Sequence, residues 1–278
     1  MKYLITSATG DLANIATKEL VEIVGVDNVS VTVRSLDKAQ SLVDLGVEIR
    51  QADYFNLESL IKAFEGIDKV LFISSGNLER RQEQHENVVK ALKESNVSFV
   101  AYTSAPNATE SESIIAPDHK LTETLISESG IKHAFLRNNW YLENEFLLLE
   151  AAKKGEDFKH SAGNGKVGWA LKKDYAIAAA RIISELAPKQ EIYKLGGTPI
   201  TYEELGKILD LNINLINVNE KENKKILEES NLPSDLIDFT LAIQKDIKEN
   251  HLNLYSNDLE KVLNQKQTPL QEILDKKQ

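Results

Sequence analysis

The chain has 278 residues, 42% hydrophobic and 27% charged, a composition ordinary for a globular protein that buries a sizeable core. Its net charge of −10 works against a nucleic-acid surface, which needs a basic face, and the absence of cysteine excludes disulfides, thiolate catalysis and cysteine-ligated zinc. No run of about 18 apolar residues exists to span a membrane, and the chain enters its first strand without a charged-then-apolar leader, so the expected location is cytoplasmic.

The first apolar run, 3–6, ends in Thr6-Ser7-Ala8-Thr9-Gly10-Asp11-Leu12-Ala13 and leads into a helical pattern. Strand, small-residue loop and helix N-terminus form the turn at which backbone N–H groups and the helix dipole hold a pyrophosphate. Thr6, Ser7, Thr9, Gly10, Asp11 and Leu12 are therefore candidate cofactor contacts. The spacing G-x-x-G-x-x-G has serine at 7 and alanine at 13, so an ordinary turn that binds nothing is an equal alternative. The second strand, 29–33, is followed by Arg34 and Ser35, with Lys38 close by. An NAD site wants Asp or Glu near this place, whereas a guanidinium suits a 2′-phosphate, with the Ser35 hydroxyl as a second donor; Arg34 thus points to NADP over NAD, or is simply solvated.

The alternation continues. A third strand at 47–51 leads to Asp53 and Tyr54, where an adenine would lie, unless Asp53 caps the next helix. The fourth, 69–73, ends in Ser74-Ser75-Gly76, positioned for the nicotinamide half of a cofactor or a plain polar loop. The fifth, 98–102, ends in Tyr102-Thr103-Ser104, a place for a hydroxyl in hydride chemistry. Yet none of the eight tyrosines is followed four residues later by lysine, so no tyrosine is paired for general-acid work on an alkoxide. The next helix carries His119 and Glu123 on one face; His119 could bond a ribose or substrate oxygen, or merely its Glu. The five histidines lack metal-ligand spacing, and no metal is expected. Beyond the sixth strand, 133–137, Asn138, Trp140, Tyr141 and Asn144 could frame a flat substrate at the sheet edge where ligands bind, or pack a junction.

Helical patterns at 12–24, 36–45, 57–64, 78–95 and 118–129 separate these strands, and Gly25, Gly46, Gly66, Asn96 and Gly130 read as C-caps. Apolar strands alternating with helices give an α/β fold, a doubly wound parallel sheet of Rossmann-like type. After Arg137 the rhythm changes: helix 140–154, loop 155–168, helix 173–186, strand 192–195, helix 201–209, then charged helical sequence from 218 with a break at Pro233. The expected division is a dinucleotide-binding domain at 1–150 and a smaller α+β substrate-side domain at 151–278, with the helix at 173–187 packing back on the first.

The stretches TSATGDLA, VTVRSLDKAQSL, VEIRQADYFN, LFISSG, QHENVVKA, FVAYTSA, DHKLTETLISESGI, LRNNWYLEN, KKDYAIAAARII and YKLGG, in this order, resemble the NmrA-like, atypical short-chain dehydrogenase/reductase family. Within it, the resemblance is to bacterial type 2 NAD(P)H:quinone oxidoreductases and triphenylmethane dye reductases. The resemblance covers essentially the whole chain, more firmly through Gly197 than after it. It implies NADPH bound along Gly10, Leu12, Arg34 and Ser74-Ser75, and places His119 at the lysine position of the missing Tyr–Lys pair, with Ile115 at the tyrosine position. The implied activity is hydride transfer to quinone-like or dye-like aromatic acceptors, with Tyr102, Ser104 and His119 nearest the chemistry and a homodimer left open. The same family includes non-catalytic dinucleotide sensors that act through a partner protein, which is the alternative reading.

Overall fold

A computed structural model describes residues 1–186, 189–230 and 232–275; residue 187, to which the expected helix at 173–187 extends, lies outside them. The first strand, β1 (Tyr3–Ile5), is buried throughout, and the loop after it feeds α1 (Asp11–Val24). Then follow β2 (Val29–Val33), α2 (Gln40–Leu45), β3 (Glu48–Gln51), α3 (Leu57–Phe64), β4 (Lys69–Phe72), α4 (Arg81–Glu94), β5 (Phe99–Ser104), α5 (Ala116–Glu128) and β6 (Lys132–Asn138). The second half has α6 (Phe146–Lys154), β7 (Phe158–His160), α7 (Lys172–Ile183), β8 (Ile192–Leu195), α8 (Tyr202–Ile208), β9 (Leu215–Asn217), α9 (Glu220–Glu229), α10 (Ser234–Lys248), α11 (Asp258–Leu263) and α12 (Glu272–Asp275).

Seven strands form one parallel sheet in the order β3-β2-β1-β4-β5-β6-β8. The order reverses between β1 and β4, the place where ligands bind in such sheets. Alternation along each strand serves two cores. Tyr3, Ile5, Val29, Val31 and Val33 face a layer with α1 and α7, while Leu4, Val70 and Phe72 face the layer that carries Leu60, Val88 and Ile126. Small residues on both helices, Ala13 and Ala16 on α1 and Ala176 and Ala179 on α7, are buried in the first of these cores. Ala13 is 1% exposed, so alanine meets the steric demand for a small residue where α1 passes the sheet.

A third core surrounds Trp169, Tyr202, Leu205, Ile243 and Ile247 and roofs the carboxyl ends of the strands, with a two-stranded parallel sheet of β7 and β9 beside it. The chain beyond residue 150 does not stay there. Helix α7 packs on α1, β8 completes the main sheet, and α11 packs on both α7 and β8, so the chain beyond residue 150 contributes to the main sheet and its helical layer. The Gly196-Gly197 pair ends β8 where backbones crowd: a Cβ on Gly197 would lie 2.2 Å from the Trp169 carbonyl oxygen.

The expected C-cap residues Gly25, Gly46, Gly66, Asn96 and Gly130 all have positive φ, between 55° and 84°. Three expected helices differ in extent. The pattern at 36–45 splits into a 3₁₀ turn (Leu36–Lys38) and α2, and α4 begins at Arg81 after Asn77 takes the Arg80 N–H. The pattern at 140–154 opens with a 3₁₀ turn (Leu142–Asn144) and becomes α-helical only from Phe146, because Tyr141 pairs with Ala170 and the Leu142 N–H goes to the Ala170 carbonyl. Strands β7 and β9 answer no expected strand; each is three residues long and has its partner about 57 positions away.

Candidate active site

The turn after β1 closes without glycine at position 7. Ser7 takes φ 56°, the left-handed conformation in which a side chain is disfavoured. The turn is held by Gly10 N–H to the Ser7 carbonyl (3.0 Å), Ala8 N–H to the Thr32 carbonyl (2.9 Å) and Ser7 N–H to Thr32 Oγ1 (3.3 Å). Gly10 then N-caps α1 in extended conformation, and no side chain caps the first turn of this helix. Its leading N–H groups are directed outward at the sheet's reversal point, which suits an anion. Asp11 opposes one, but its carboxylate is exposed and lies 3.7 Å from Lys172. Ser7→Gly is expected to leave stability equal or raise it by up to about 1 kcal/mol by relieving the positive φ. Dinucleotide affinity, measured by titration, is expected to hold or improve. A marked drop would mean that the Ser7 hydroxyl itself touches the nucleotide.

Arg34 projects just past β2, which pairs directly with β1, and is exposed. Its carbonyl takes Gln51 Nε2, while its guanidinium makes no ion pair or hydrogen bond among the described residues. The Ser35 hydroxyl is not a second phosphate donor: it is donated to Asp37. Two other expected contacts, Thr6 and Tyr54, turn inward, and a third, Asp53, stays partly exposed. Thr6 is fully buried, with its Oγ1 accepting from the Ile73 N–H (2.9 Å) and lying 2.5 Å from the Tyr54 hydroxyl. Tyr54 donates its one proton to the Ile73 carbonyl, so it braces β1 against the end of β4 rather than meeting an adenine. Asp53 closes a local turn by accepting the Phe55 N–H, and Asn56, not Asp53, caps α3.

A cleft of about 510 Å³ opens over the ends of β1, β4, β5 and β6. Leu12, Ser74, Ser75, Ser104, His119, Asn138, Trp140, Tyr141 and Asn144 all line it, with Ile115 on the same wall. Thr9 and Asp11 do not; both are exposed beside the turn. Two lining atoms, Ser74 Oγ and Asn138 Oδ1, are buried without a hydrogen-bond partner. Such atoms are uncommon inside proteins and are what a bound polar ligand would satisfy. The Ser75 hydroxyl, by contrast, is spent on Gln84.

The residues expected nearest the chemistry divide. Ser104 donates to Glu123 Oε1 at 2.6 Å, so its hydroxyl is not offered to the cleft. Glu123 is not the partner of His119, since it takes a bidentate grip from Arg137, with Nη2 to Oε2 at 2.6 Å and Nε to Oε1 at 3.0 Å. Tyr102 is fully buried, burial raises its phenol further above the ordinary range, and its hydroxyl sits 2.8 Å from His119 Nδ1. It positions His119 and does not reach the cleft.

Two residues outside the expected set complete this cluster. The Ser75 N–H donates to His85 Nε2 (3.0 Å), which puts the His85 proton on Nδ1, 2.8 Å from Thr122 Oγ1. The Tyr102 hydroxyl is then left to donate to His119 Nδ1, and the network assigns the His119 proton to Nε2, the nitrogen left for the cleft. Arg81 donates from Nε to the Ser75 carbonyl (2.8 Å), lies 3.7 Å from Asp118 and lines the cleft beside His119. Burial, with the Arg81 charge adding to it, pushes the His119 imidazole down to about 3. The ring is therefore neutral throughout the physiological range: a hydrogen-bond donor, not a cationic acid. The signal for Arg81 and His85 was their i,i+4 spacing at the start of the helix that follows the Ser74-Ser75 loop.

Glu145 was also unforeseen. It lines the opposite wall, 7% exposed, accepting from Trp169 Nε1 (3.0 Å) and the Tyr202 hydroxyl (2.8 Å). Burial raises its carboxyl to about 7, against the pull of these two donors and of the Trp140 side chain. Its trace in the sequence is an acidic residue opening the apolar run 146–149. Away from the cleft, Asp246, Glu249 and His251 bring possible ligand atoms within 4.8 Å of one another, which histidine spacing alone overlooked. Asp246 is already occupied by the Ser113 hydroxyl (2.6 Å) and the Ile114 N–H (3.0 Å), a clasp between α10 and the segment before α5. Among the described residues no helix is long and apolar enough to cross a membrane.

Comparison with known proteins agrees with this geometry. Quinone oxidoreductase 2 of Escherichia coli is 37% identical over 239 residues, 84% of each chain. The E. coli NADPH-dependent quinone oxidoreductase solved with NADPH superposes with a TM-score of 0.91 at 34% identity, covering 98% of both chains. The Citrobacter sp. triphenylmethane reductase complexed with NADP(H) gives 0.90 at 32% identity, covering 99% of both. A family model described as NAD(P)H-binding matches residues 7–166, from the turn after β1 through the cleft-lining segment at 138–147. The chain belongs to this NAD(P)H-binding family.

Proposed function

We propose that the protein is an NADPH-dependent oxidoreductase that passes hydride to quinone-like or dye-like aromatic acceptors. The observation that carries this reading is the cleft at the sheet's reversal point, where unpartnered Ser74 Oγ and Asn138 Oδ1 line one volume with His119, Trp140 and Tyr141. The residues present suit the dinucleotide. The uncapped start of α1 would hold the pyrophosphate, Arg34 the 2′-phosphate, and the cleft atoms the nicotinamide end. Bound there, NADPH supplies the hydride.

This chain's own side chains do the rest by orientation and charge. His119 is held by Tyr102 as a neutral donor toward the ribose or an acceptor oxygen. Arg81 sets a positive potential beside it, favourable to the negative charge that a quinone gains with a hydride. A hydroquinone anion is resonance-stabilised and takes its proton from solvent, so Ile115 in place of a tyrosine is no obstacle. The aromatic side chains of the other wall suit a flat ring. The similar proteins are reductases, which does not favour the dinucleotide-sensing alternative.

The test is steady-state oxidation of NADPH, followed at its nicotinamide absorbance, with a panel of quinones and triphenylmethane dyes. Sustained turnover with at least one acceptor, faster with NADPH than with NADH, is expected. Binding of NADPH with no turnover of any acceptor would favour the sensor reading, and no binding at millimolar concentration would remove both.

A further inference from the structure

Glu145 differs from the other ionisable groups of the cleft wall. Arg81 is engaged with Ser75 and Asp118, Lys172 with Asp11, and Glu143 accepts the Lys172 N–H at 2.9 Å. Glu145 has no ion pair among the described residues, only the neutral donors of Trp169, Tyr202 and Trp140. The titratable groups packed around these donors do not supply a cation. Tyr202 is held protonated by burial, and His160, whose ring lies 4.6 Å from that of Tyr202, is kept neutral by burial although Glu203 lies 3.9 Å away. On α8 and α6 the remaining charges, Glu203, Glu204, Lys207, Glu150, Lys153 and Lys154, are not among the cleft-lining residues.

A buried carboxyl with three neutral donors and no counter-charge carries a desolvation cost when ionised. Its neighbours on the cleft wall are rings: Trp140, Phe146, Phe158, Tyr202 and Phe239, with Trp140 and Phe239 at 6.3 Å between centroids. Aromatic faces around one carboxylate form the arrangement that recognises organic cations, through cation–π attraction and charge together. The same carboxyl, when protonated, presents no charge to a neutral ring. The Tyr202 hydroxyl can serve both states, donating to the carboxylate or turning to accept from the acid.

We propose that Glu145 is the specificity-determining residue by which the acceptor end of the cleft sorts acceptors by charge, favouring planar aromatic cations when ionised and neutral quinones when protonated. The proposal rests on the reductase reading above. The chemistry balances in both states. A cationic acceptor gains a C–H bond with the hydride electron pair, becomes neutral and consumes no proton. A quinone becomes a hydroquinone anion and takes one proton from solvent. The reductant in both is the reduced nicotinamide, which leaves oxidised.

The test compares kcat/KM for crystal violet, a triphenylmethane cation, with that for 2-methyl-1,4-naphthoquinone, which is neutral, from pH 6 to 8.5. In the unaltered protein the cation-to-quinone ratio is expected to rise with pH by roughly 10-fold, as the carboxyl raised to about 7 ionises. In Glu145→Gln the ratio should stay flat near its low-pH value. Tyr202→Phe removes a donor to the carboxylate, so the rise should persist but move to higher pH, a readout that a merely structural role would not give. A ratio that is flat in the unaltered protein, or rises equally in Glu145→Gln, overturns the proposal while leaving reductase turnover intact. If no acceptor is turned over, the pH dependence of crystal violet binding, read from its absorbance shift, decides the role of Glu145 separately: a rise confined to proteins that keep the carboxyl supports it, and identical binding in Glu145→Gln overturns it.

Discussion

Glu123→Gln is expected to lower the free energy of unfolding by about 3–5 kcal/mol, read as a shift of the denaturant midpoint at constant slope. The replacement leaves the Arg137 guanidinium buried without its counter-charge. The two side chains are 8% and 3% exposed, their contact is bidentate, and Ser104 adds a third donor to the carboxylate while Thr109 takes the remaining reach of Arg137 at 3.1 Å. A low-dielectric setting makes this loss far larger than that of a surface pair. The ion pair as such is not worth that amount. Glu123→Gln combined with Arg137→Met should recover most of the loss, because the stranded charge is then gone. A cost below about 1 kcal/mol for Glu123→Gln alone would show that the pair is solvated in solution and does not tie α5 to β6.

Arg34→Ala is expected to weaken NADPH binding about 5- to 150-fold, the 1–3 kcal/mol of a lost charge-assisted contact, and to change NADH binding less than about 2-fold. The guanidinium stands exposed beyond β2, has no protein partner among the described residues, and lies next to the strand whose turn would hold the pyrophosphate. The 2′-phosphate is the one feature that separates the two cofactors, so differential loss is the diagnostic result. Arg34→Lys should fall between, since a point charge replaces a fork. Fluorescence titration of both nucleotides against the three proteins decides the matter. Equal loss for NADPH and NADH would remove Arg34 from the discriminating role.

The fold was legible because its signals are local. Continuous apolar strands, helices of regular period and five caps of positive φ each show within a few residues of sequence, and their alternation gives the parallel sheet. Cleft-lining residues were legible where position at a strand end decides it, as for Ser74, Asn138 and Trp140, and in the first turn of α5 for His119. Tertiary partners overrode the rest. The spacing that put Glu123 beside His119 is real, but Arg137, arriving from β6, offers a full charge and two donors, and wins. Thr6, Tyr54 and Ser104 carry hydroxyls of a suitable type at suitable places and spend them on internal struts. Arg81, His85 and Glu145 gain their meaning from groups 6 to 57 positions away, contacts that no helical or strand period displays.

The roof over the strand ends has a core of its own, centred on Trp169, Tyr202 and Ile243, distinct from the two that hold the sheet. One wall of the cleft therefore belongs to the hydrophobic interior that defines the dinucleotide half, and the other to an interior with separate membership. Replacements on the second wall fall in this separate core, so, away from the Lys172–Asp11 contact, their free-energy effects should add to changes at the turn after β1 instead of coupling with them. An ancestor with this plan could be retuned toward new electron acceptors many times over while its grip on the reductant was inherited unchanged.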